Sequence, residues 1–235
     1  MTTQSIKATV GNGSYARTYS DTATDGQWTG NILLDDLASN NLGLTQAGQV
    51  VTHLPVQYEG GLVAWRIQST QTLKVKRQGF GVKGSLHCWE SNAVPSYTIM
   101  SDDILTVYPM AMSPNPQQFN AMMLVQTNMG TEFFSASNVA DETATALTST
   151  ESGQTLGDLF FGRTVTGLWV CLEDGATLQE VEVFDEAGGE VWSARGSVRL
   201  PTMGGTNAHY NLHASGLGIP IRKGFTIKVT GVAGA

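Results

Sequence analysis

The feature of this sequence that most constrains its fold is a series of short apolar runs, separated by turn formers at intervals of about 8–12 residues. The run "TLKVKRQGFGVKG" shows the pattern: Leu73 and Val75 alternate with Lys74 and Lys76, and glycines then interrupt the run. Side chains that alternate with a period of two lie on opposite faces of a β-strand. Similar runs continue from Gln49 almost to the last residue, and helical periodicity is scarce. The pattern predicts an all-β chain, an antiparallel β-sandwich that is jelly-roll-like.

The last third of the chain gives the clearest predictions of strand pairing. "EVEVFDEAGGEVW" predicts a hairpin that turns at "DEAGGE". "GIPIRKGFTIKVTG" predicts a second hairpin, which turns at residues 222–224 and ends in a central strand of the sheet. "FNAMMLVQTNMG" is compatible with a helix or a buried strand, and its β context favours a strand.

Two polar segments are predicted to lie outside the regular strands. Residues 1–45 are predicted to form an extended N-terminal arm, in which "ILLDDLASNNLG" makes one or two helical turns that Asn40, Asn41 and Gly43 end. Residues 135–155 are predicted to form a long polar loop. The predicted domains are therefore the arm, 1–45, and a β-sandwich, 46–235, which is either one sandwich or two small β subdomains.

The composition is poor in charge, and this excludes some partners. Charged residues make up 14% of the 235 residues, where roughly 25% is usual. The 13 basic and 20 acidic residues give a net charge of −7, whereas nucleic-acid binding needs a basic face. No run of about 18 apolar residues predicts a membrane span. The N-terminus shows no secretory signal. Cys88 and Cys171 lie in apolar runs and are predicted to be buried thiols, which fits synthesis in a reducing cytoplasm.

The spacing of the histidines and of the acidic pairs gives little support to a catalytic or metal-binding site. His209 and His213 on one strand face would lie about 13 Å apart, too far to share a metal ion. The pair Asp102 and Asp103 is the first place to test for glycoside hydrolysis, which needs two carboxylates, but turn chemistry explains the other acidic pairs. We therefore expect no enzymatic activity, no cofactor and no metal, and assign no catalytic residue.

Eight residues are instead predicted to bind a partner. The only basic cluster is either a contact patch for an acidic surface or the solvated face of an edge strand. Aromatic and leucine side chains in the polar arm are suited to anchor it in a neighbour's pocket. The tryptophans at 65, 89, 169 and 192 are predicted to be in the core. The candidate partner-binding residues are Tyr15, Tyr19, Trp28, Leu33, Leu34, Lys74, Lys76 and Arg77.

Several segments together resemble those of tailed-bacteriophage virion proteins. They are "VGNGSYARTYSDTATDGQWTGN", "VYPMAMSPNPQQFNAMMLVQ", "EVEVFDEAGGEVW" and "GIPIRKGFTIKVTG", of which the last is similar to the closing strands of jelly-roll head-decoration (cement) proteins. The resemblance implies a homotrimeric β-sandwich seated on junctions of the major capsid protein, in a virion made in the host bacterial cytoplasm. It implies no catalytic residues.

Three alternatives remain open at this stage. A tail, neck or baseplate protein of a virion would have the same sequence character. A receptor- or carbohydrate-binding module would use exposed tryptophans to stack on sugars. An enzyme, such as a polysaccharide depolymerase, would need paired carboxylates. Fold alone does not separate these functions.

Overall fold

The computed structural model describes residues 3–12, 15–29, 33–34, 42–51, 56–58, 61–82, 97–173, 175–196, 200–201 and 209–234. The chain divides into two compact units. Unit 1 contains Met1–Ala111 and Thr202–Ala208, and unit 2 contains Met112–Pro201 and His209–Ala235. Both are built from antiparallel strands, so the prediction of an all-β, sandwich- or barrel-like fold is confirmed.

Unit 1 contains three small sheets, in the orders β3-β2-β1-β5, β7-β6-β9 and β4-β8. Strand β6 is the centre of its sheet, and Leu62, Trp65 and Ile67 on it are fully buried. The described elements of unit 1 are β1 (Thr3–Asn12), β2 (Tyr15–Thr24), β3 (Leu33–Leu34), α1 (Leu42–Gln46), β4 (Val50–Val51), β5 (Val56–Tyr58), β6 (Gly61–Ser69), β7 (Val75–Val82), β8 (Tyr97–Thr98) and β9 (Asp103–Ala111).

The segment predicted as an arm is extended, and its strands pair within unit 1. β1 and β2 form a continuous ladder from Thr3↔Thr24 to Asn12↔Tyr15, and β1 also pairs with β5. Because the backbone N–H and C=O groups of an extended chain need partners, pairing with neighbouring strands satisfies them. The compact units divide near Ala111 instead of at residue 45. Whether residues 1–45 reach a partner stays a prediction.

Most of "ILLDDLASNNLG" lies outside the described residues, so the helical turns expected between residues 35 and 41 stay a prediction. Leu33 and Leu34 form β3, which pairs with Ser20 and Tyr19 of β2. The helix α1 begins only at Leu42, after a stretch that lies outside the described residues. Gly43 lies inside α1, so the prediction that Gly43 ends a helix was wrong.

Unit 2 is dominated by one antiparallel, nearly closed sheet of eight strands in the order β15-β14-β19-β12-β11-β10-β13-β18. Strands β16 and β17 pair separately. The described elements of unit 2 are β10 (Gln118–Thr127), β11 (Gly130–Ala140), β12 (Thr145–Ser149), α2 (Leu156–Phe160), β13 (Thr164–Leu172), β14 (Thr177–Phe184), β15 (Glu190–Arg195), β16 (Leu200–Pro201), β17 (His209–Tyr210), β18 (Leu212–Pro220) and β19 (Thr226–Val232).

The sheet of unit 2 curves around a single apolar core. On β19, Ile227 and Val229 are fully buried in this core. Thr226, Lys228 and Thr230, which alternate with them along the strand, are partly exposed. The facing strands contribute side chains by the same alternation, which is why the sequence pattern identifies these strands well. Other core members include Phe119, Met123, Val125, Phe134, Leu147, Val170, Val181 and Val183.

The closing hairpin predicted from "GIPIRKGFTIKVTG" does not form, although both of its strands do. β18 pairs with β13, whereas β19 pairs with β14 and β12 on its two sides. The connecting residues are held by other segments: Ile221 N–H donates to Arg163 C=O at 2.8 Å, and Phe225 C=O accepts from Gly157 N–H at 2.7 Å. The pairing prediction was wrong, but the expectation that the last strand is central is confirmed.

Two further predictions are decided in unit 2. "FNAMMLVQTNMG" forms strand β10, and "EVEVFDEAGGEVW" forms the paired strands β14 and β15, so both predictions are confirmed. The polar loop predicted for 135–155 is wrong, because β11 continues to Ala140 and β12 follows it. In β12 only Leu147 is a large apolar residue in the core, and its polar neighbours hide the strand pattern.

Candidate functional site

A cluster of charged and polar side chains joins the start of β9 to strand β7 in unit 1. The Asp103 carboxylate is fully buried and forms an ion pair with Lys76 Nζ. Its other oxygen accepts hydrogen bonds from the Tyr97 hydroxyl at 2.5 Å and from Met100 N–H at 2.8 Å. Lys76 Nζ also lies 3.3 Å from Asp102 Oδ1. A carboxylate with this burial needs such partners, because an isolated buried charge is very costly.

The pKa shifts in this cluster fix the protonation state of its members. Burial acts to lower the pKa of Lys76, but Asp103 and Asp102 outweigh it and raise that pKa above its usual value. Burial, with the Asp103 hydrogen bond, raises the pKa of the Tyr97 hydroxyl well above its ordinary range. The hydrogen bond from Ser69 lowers the pKa of Asp102, with Lys76 adding to the effect. At neutral pH the cluster therefore holds a charged lysine and a neutral tyrosine, which suits a structural lock.

The three basic candidates, on β7 and in the turn before it, differ in their contacts. Lys76 is held by the two aspartates, and Arg77 donates to Lys76 C=O at 2.7 Å while its guanidinium lies 5.1 Å from the Tyr97 ring centroid. Lys74 is exposed and has no ion pair among the described residues. Of the predicted basic patch, Lys74 is therefore the side chain most open to a partner.

Leu73 is the residue that the sequence pattern placed incorrectly. The alternation of Leu73 with Val75 predicted that both lie on one strand face, but β7 begins at Val75 and Leu73 belongs to the preceding turn. Leu73 has φ 55° and is 70% exposed. The sequence could not show this, because the turn depends on Ser69 and Asp102, which is far along the chain.

Trp28, predicted to anchor the arm on a partner, contacts its own unit. The Arg66 guanidinium lies 4.0 Å from the Trp28 ring centroid, and the Tyr108 ring lies at 5.6 Å. The preceding residues follow β9: Asp25 Oδ1 accepts from Ala111 N–H at 2.6 Å. Trp28 remains half-buried, so part of its surface is still available.

For the other arm candidates the structure describes only the backbone. Tyr15 pairs with Asn12 at the end of the β1–β2 ladder, and Tyr19 pairs with Ala8 on one side. Leu33 and Leu34 occupy the edge strand β3. A role for these residues in partner binding stays a prediction.

In unit 2, a buried glutamate ties three segments together. Glu173 Oε2 accepts hydrogen bonds from Ser113 N–H and Asn120 N–H, both at 2.9 Å. Asn120 Oδ1 in turn accepts from Asn138 N–H at 2.8 Å. Burial raises the pKa of the Glu173 carboxyl, and the two backbone N–H groups partly oppose that rise. The arrangement satisfies backbone groups at the start of β10, which is a structural role.

The histidine and tryptophan candidates of unit 2 are stacked on each other. His213 on β18 lies opposite Trp169 on β13, with ring centroids 5.0 Å apart and planes 18° from parallel. Burial lowers the pKa of His213, so its imidazole is neutral at pH 7. Trp65 and Trp169 are buried, Trp192 packs partly against the core, and Trp89 lies outside the described residues. The cysteine that the structure describes, Cys171, is a buried thiol as predicted.

An open groove of about 410 Å³ lies where the β14–β15 turn meets the link between β18 and β19. Val191, Pro220 and Phe225 supply its apolar lining. Acidic Asp185 and Glu186 come from the turn, and basic Arg222 and Lys223 come from the link. Asp185 is held in place, because its Oδ1 accepts from Ala187 N–H at 2.9 Å and Gly189 N–H at 2.7 Å. Its volume falls in the range of ligand pockets, and no sequence motif indicated it.

Neither a metal-binding cluster nor a membrane-spanning helix occurs in the described parts of the chain. In the parts of the chain that the structure describes, no three His, Cys, Asp or Glu side chains are grouped so that they would hold a metal ion. Likewise, none of the described helices has the length and apolarity required to span a membrane.

The fold and these sites define an all-β protein with two antiparallel units, an exposed turn at Leu73 and an apolar groove with a charged rim. Comparison with known proteins found no matching family model, no matching curated protein and no matching solved structure.

Proposed function

We propose that this chain is a non-enzymatic structural protein of a bacteriophage virion, which stabilises the head as a decoration or cement protein. In this role a homotrimer binds at junctions of the major capsid protein. The sequence resemblance supplies the identity of the assembly. The observation that carries the contact role is a set of large apolar side chains exposed on turns and helix ends.

These exposed side chains occur in both units. Leu44 is 66% exposed and Leu73 is 70% exposed in unit 1, while Met129 is 71% exposed and Phe161 is 67% exposed in unit 2. Single exposed apolar residues are common on monomers, but large side chains on well-held turns are the kind that become anchors in an interface. A cement protein works through contact area and shape, and such anchors supply both.

The proposal is tested by locating the protein in particles. Particles are purified from a lysate of the strain that carries the gene, heads and tails are separated, and peptides are quantified by mass spectrometry. A cement protein is expected in heads at a fixed ratio to the major capsid protein. Absence from all particle fractions would exclude a virion role.

A tail, neck or baseplate protein is the alternative that the same contact surfaces support. The fractionation separates the two, because such a protein is found with tails or connectors at low copy number. Glycan binding has less support from the described tryptophans, because Trp65 and Trp169 are buried and Arg66 covers the ring of Trp28.

The trimer is tested separately by measuring the solution mass of the purified chain with size exclusion and light scattering. A mass three times that of the 25.0 kDa chain is expected.

A further inference from the structure

The turn between β6 and β7 holds a leucine in an unusual conformation. Leu73 has φ 55°, a left-handed backbone in which side chains with a Cβ are strained and glycine is not. Yet its side chain is 70% exposed, so burial does not compensate for the strain. Strained residues that folding does not explain concentrate at functional sites.

This turn is rigidly held, so Leu73 is presented in a fixed position. The Ser69 hydroxyl accepts from Gln71 N–H at 3.2 Å and Thr72 N–H at 3.1 Å, and Ser69 C=O accepts from Leu73 N–H at 2.9 Å. Thr70 N–H donates to Asp102 C=O at 2.9 Å, which fastens the turn to the start of β9. A preorganised side chain loses little entropy when it binds.

Further apolar side chains are exposed on segments that contact the same region. Met100 is 54% exposed and lies two residues before Asp102. Leu44 is 66% exposed on α1, and α1 packs so closely on the residue 101–103 backbone that a Cβ on Gly43 would lie 2.5 Å from Ser101 O. We call Leu44, Leu73 and Met100 the apolar tip; Lys74 beside it is exposed.

The groove of unit 2 has features complementary to this tip. Its lining by Val191, Pro220 and Phe225 is apolar, and it is open to solvent. Glu186 on its rim is exposed and has no ion pair among the described residues, which matches the unpaired state of Lys74. The rim also carries Arg222 and Lys223, whereas Asp102 near the tip is already paired with Lys76.

We infer that the apolar tip of one copy docks into the groove of a second copy of this chain, with Leu73 in the groove and Lys74 against Glu186. Both halves of the contact are present in one chain. Each half has an apolar centre, and Lys74 at the tip is opposite in charge to Glu186 on the groove rim. Because tip and groove are different surfaces, the contact is heterologous, and repetition closes a ring or extends a filament. This inference rests on the homotrimer of the proposed function and deepens it, because it names the surfaces that join the copies.

The first test compares self-association of wild type and Leu73→Gly by sedimentation velocity over a range of protein concentrations. Glycine is compatible with the turn, so the variant is expected to fold with an unchanged or higher Tm. Its dissociation constant for self-association is expected to rise about tenfold or more. The control Met129→Ala removes an equally exposed apolar side chain of unit 2 and is expected to leave self-association unchanged.

The second test exchanges the charges of the contact. Lys74→Glu and Glu186→Lys are each expected to weaken self-association about tenfold at low salt, and the double variant is expected to recover most of the loss. A wild-type chain that stays monomeric at every concentration overturns the inference, as does an unchanged dissociation constant for Leu73→Gly. Loss of self-association without rescue in the double variant overturns the Lys74–Glu186 contact. A monomeric wild-type chain would also contradict the proposed trimer, whereas an unchanged dissociation constant for Leu73→Gly overturns the docking alone. The particle fractionation tests the virion role separately.

Discussion

At the scale of single residues, Asp103 shows what a buried charge requires in unit 1. Its buried carboxylate is satisfied by Lys76, Tyr97 and Met100, which come from three segments. The sequence analysis selected Lys76 and the pair Asp102–Asp103 for separate reasons. It did not predict their contact, because Lys76 lies 26 residues from Asp102 and 27 residues from Asp103 in the chain. The sequence made Asp102 and Asp103 the first residues to test for hydrolysis. In the structure both carboxylates instead pair with Lys76.

Replacement of Asp103 by Ala is expected to lower the free energy of unfolding by about 3 kcal/mol, because it breaks a buried ion pair and leaves Tyr97 and Met100 without their acceptor. Urea denaturation at neutral pH measures the change. The neighbouring Lys74→Ala, which removes an exposed lysine, is expected to change stability by less than about 0.5 kcal/mol. Equal effects of the two substitutions would show that the cluster is not a stabilising lock.

Glu173 gives a prediction that depends on pH. Burial raises the pKa of Glu173 in the folded protein, against about 4.3 for an unfolded glutamate. The folded state therefore binds this proton more readily, so the stability linked to it is fully present below the unfolded pKa and is lost as pH rises through the folded pKa. Glu173→Gln cannot titrate and keeps an acceptor oxygen, so it is expected to gain stability relative to wild type between about pH 4 and pH 7.

The control for this prediction is Glu173→Ala, which leaves the N–H groups of Ser113 and Asn120 without an acceptor. It is expected to lose about 2 kcal/mol across the whole pH range. Urea denaturation of all three proteins at several pH values separates the cases. If Glu173→Gln is destabilised as much at pH 7 as Glu173→Ala, the ionised carboxylate contributes more than its hydrogen bonds suggest.

At the scale of elements, the short helix α2 is fixed by its contact with the link between β18 and β19. Gly157 N–H donates to Phe225 C=O at 2.7 Å, and a Cβ on Gly157 would lie 2.4 Å from Phe225 N. Glycine is therefore required for close approach of the two backbones. The turn within "IRKGF" does form, since Phe225 N–H donates to Arg222 C=O at 3.3 Å, but the strands on its two sides pair with other strands.

Replacement of Gly157 by Ala is expected to cost about 2 kcal/mol or more, because the added methyl group clashes with backbone that cannot move freely. The matched control is Gly218→Ala on β18, where nothing lies within 4 Å of the added Cβ. That control is expected to stay within about 0.5 kcal/mol of wild type. Thermal unfolding followed by circular dichroism measures both, and similar midpoints would contradict close packing of α2.

The elements predicted well from the sequence are those that a pattern within one short segment specifies. Strands β14 and β15 follow from alternation and from the turn between Phe184 and Glu190, whereas β10 was assigned from the β character of its neighbours. Pairing between distant segments was not accessible, and this accounts for the incorrect β18–β19 hairpin and for the missed ladder of β1 with β5. The groove and the exposed Leu73 turn were missed for the same reason, since each is assembled from residues that are separate in sequence.

At the scale of the whole molecule, the net charge affects how strongly copies of the protein associate, and the pI is about 5.0. The net charge of −7 at neutral pH keeps copies apart, and that repulsion disappears near the pI. Light scattering between about pH 4 and pH 8 is expected to show the strongest association near pH 5. Association that is weakest near pH 5 would show that specific charge pairs, and not net repulsion, control it.

The central position of β19 has a consequence for how the protein is made. The ribosome synthesises β12 and β14 well before residues 226–232, which join them in the finished sheet. Until then, the edges of β12 and β14 that will receive β19 have no partner, and Leu147, Val181 and Val183 lack their neighbours Ile227 and Val229. Unpaired strand edges readily recruit other chains. The nascent protein therefore passes through an interval in which these two strand edges are open to other chains.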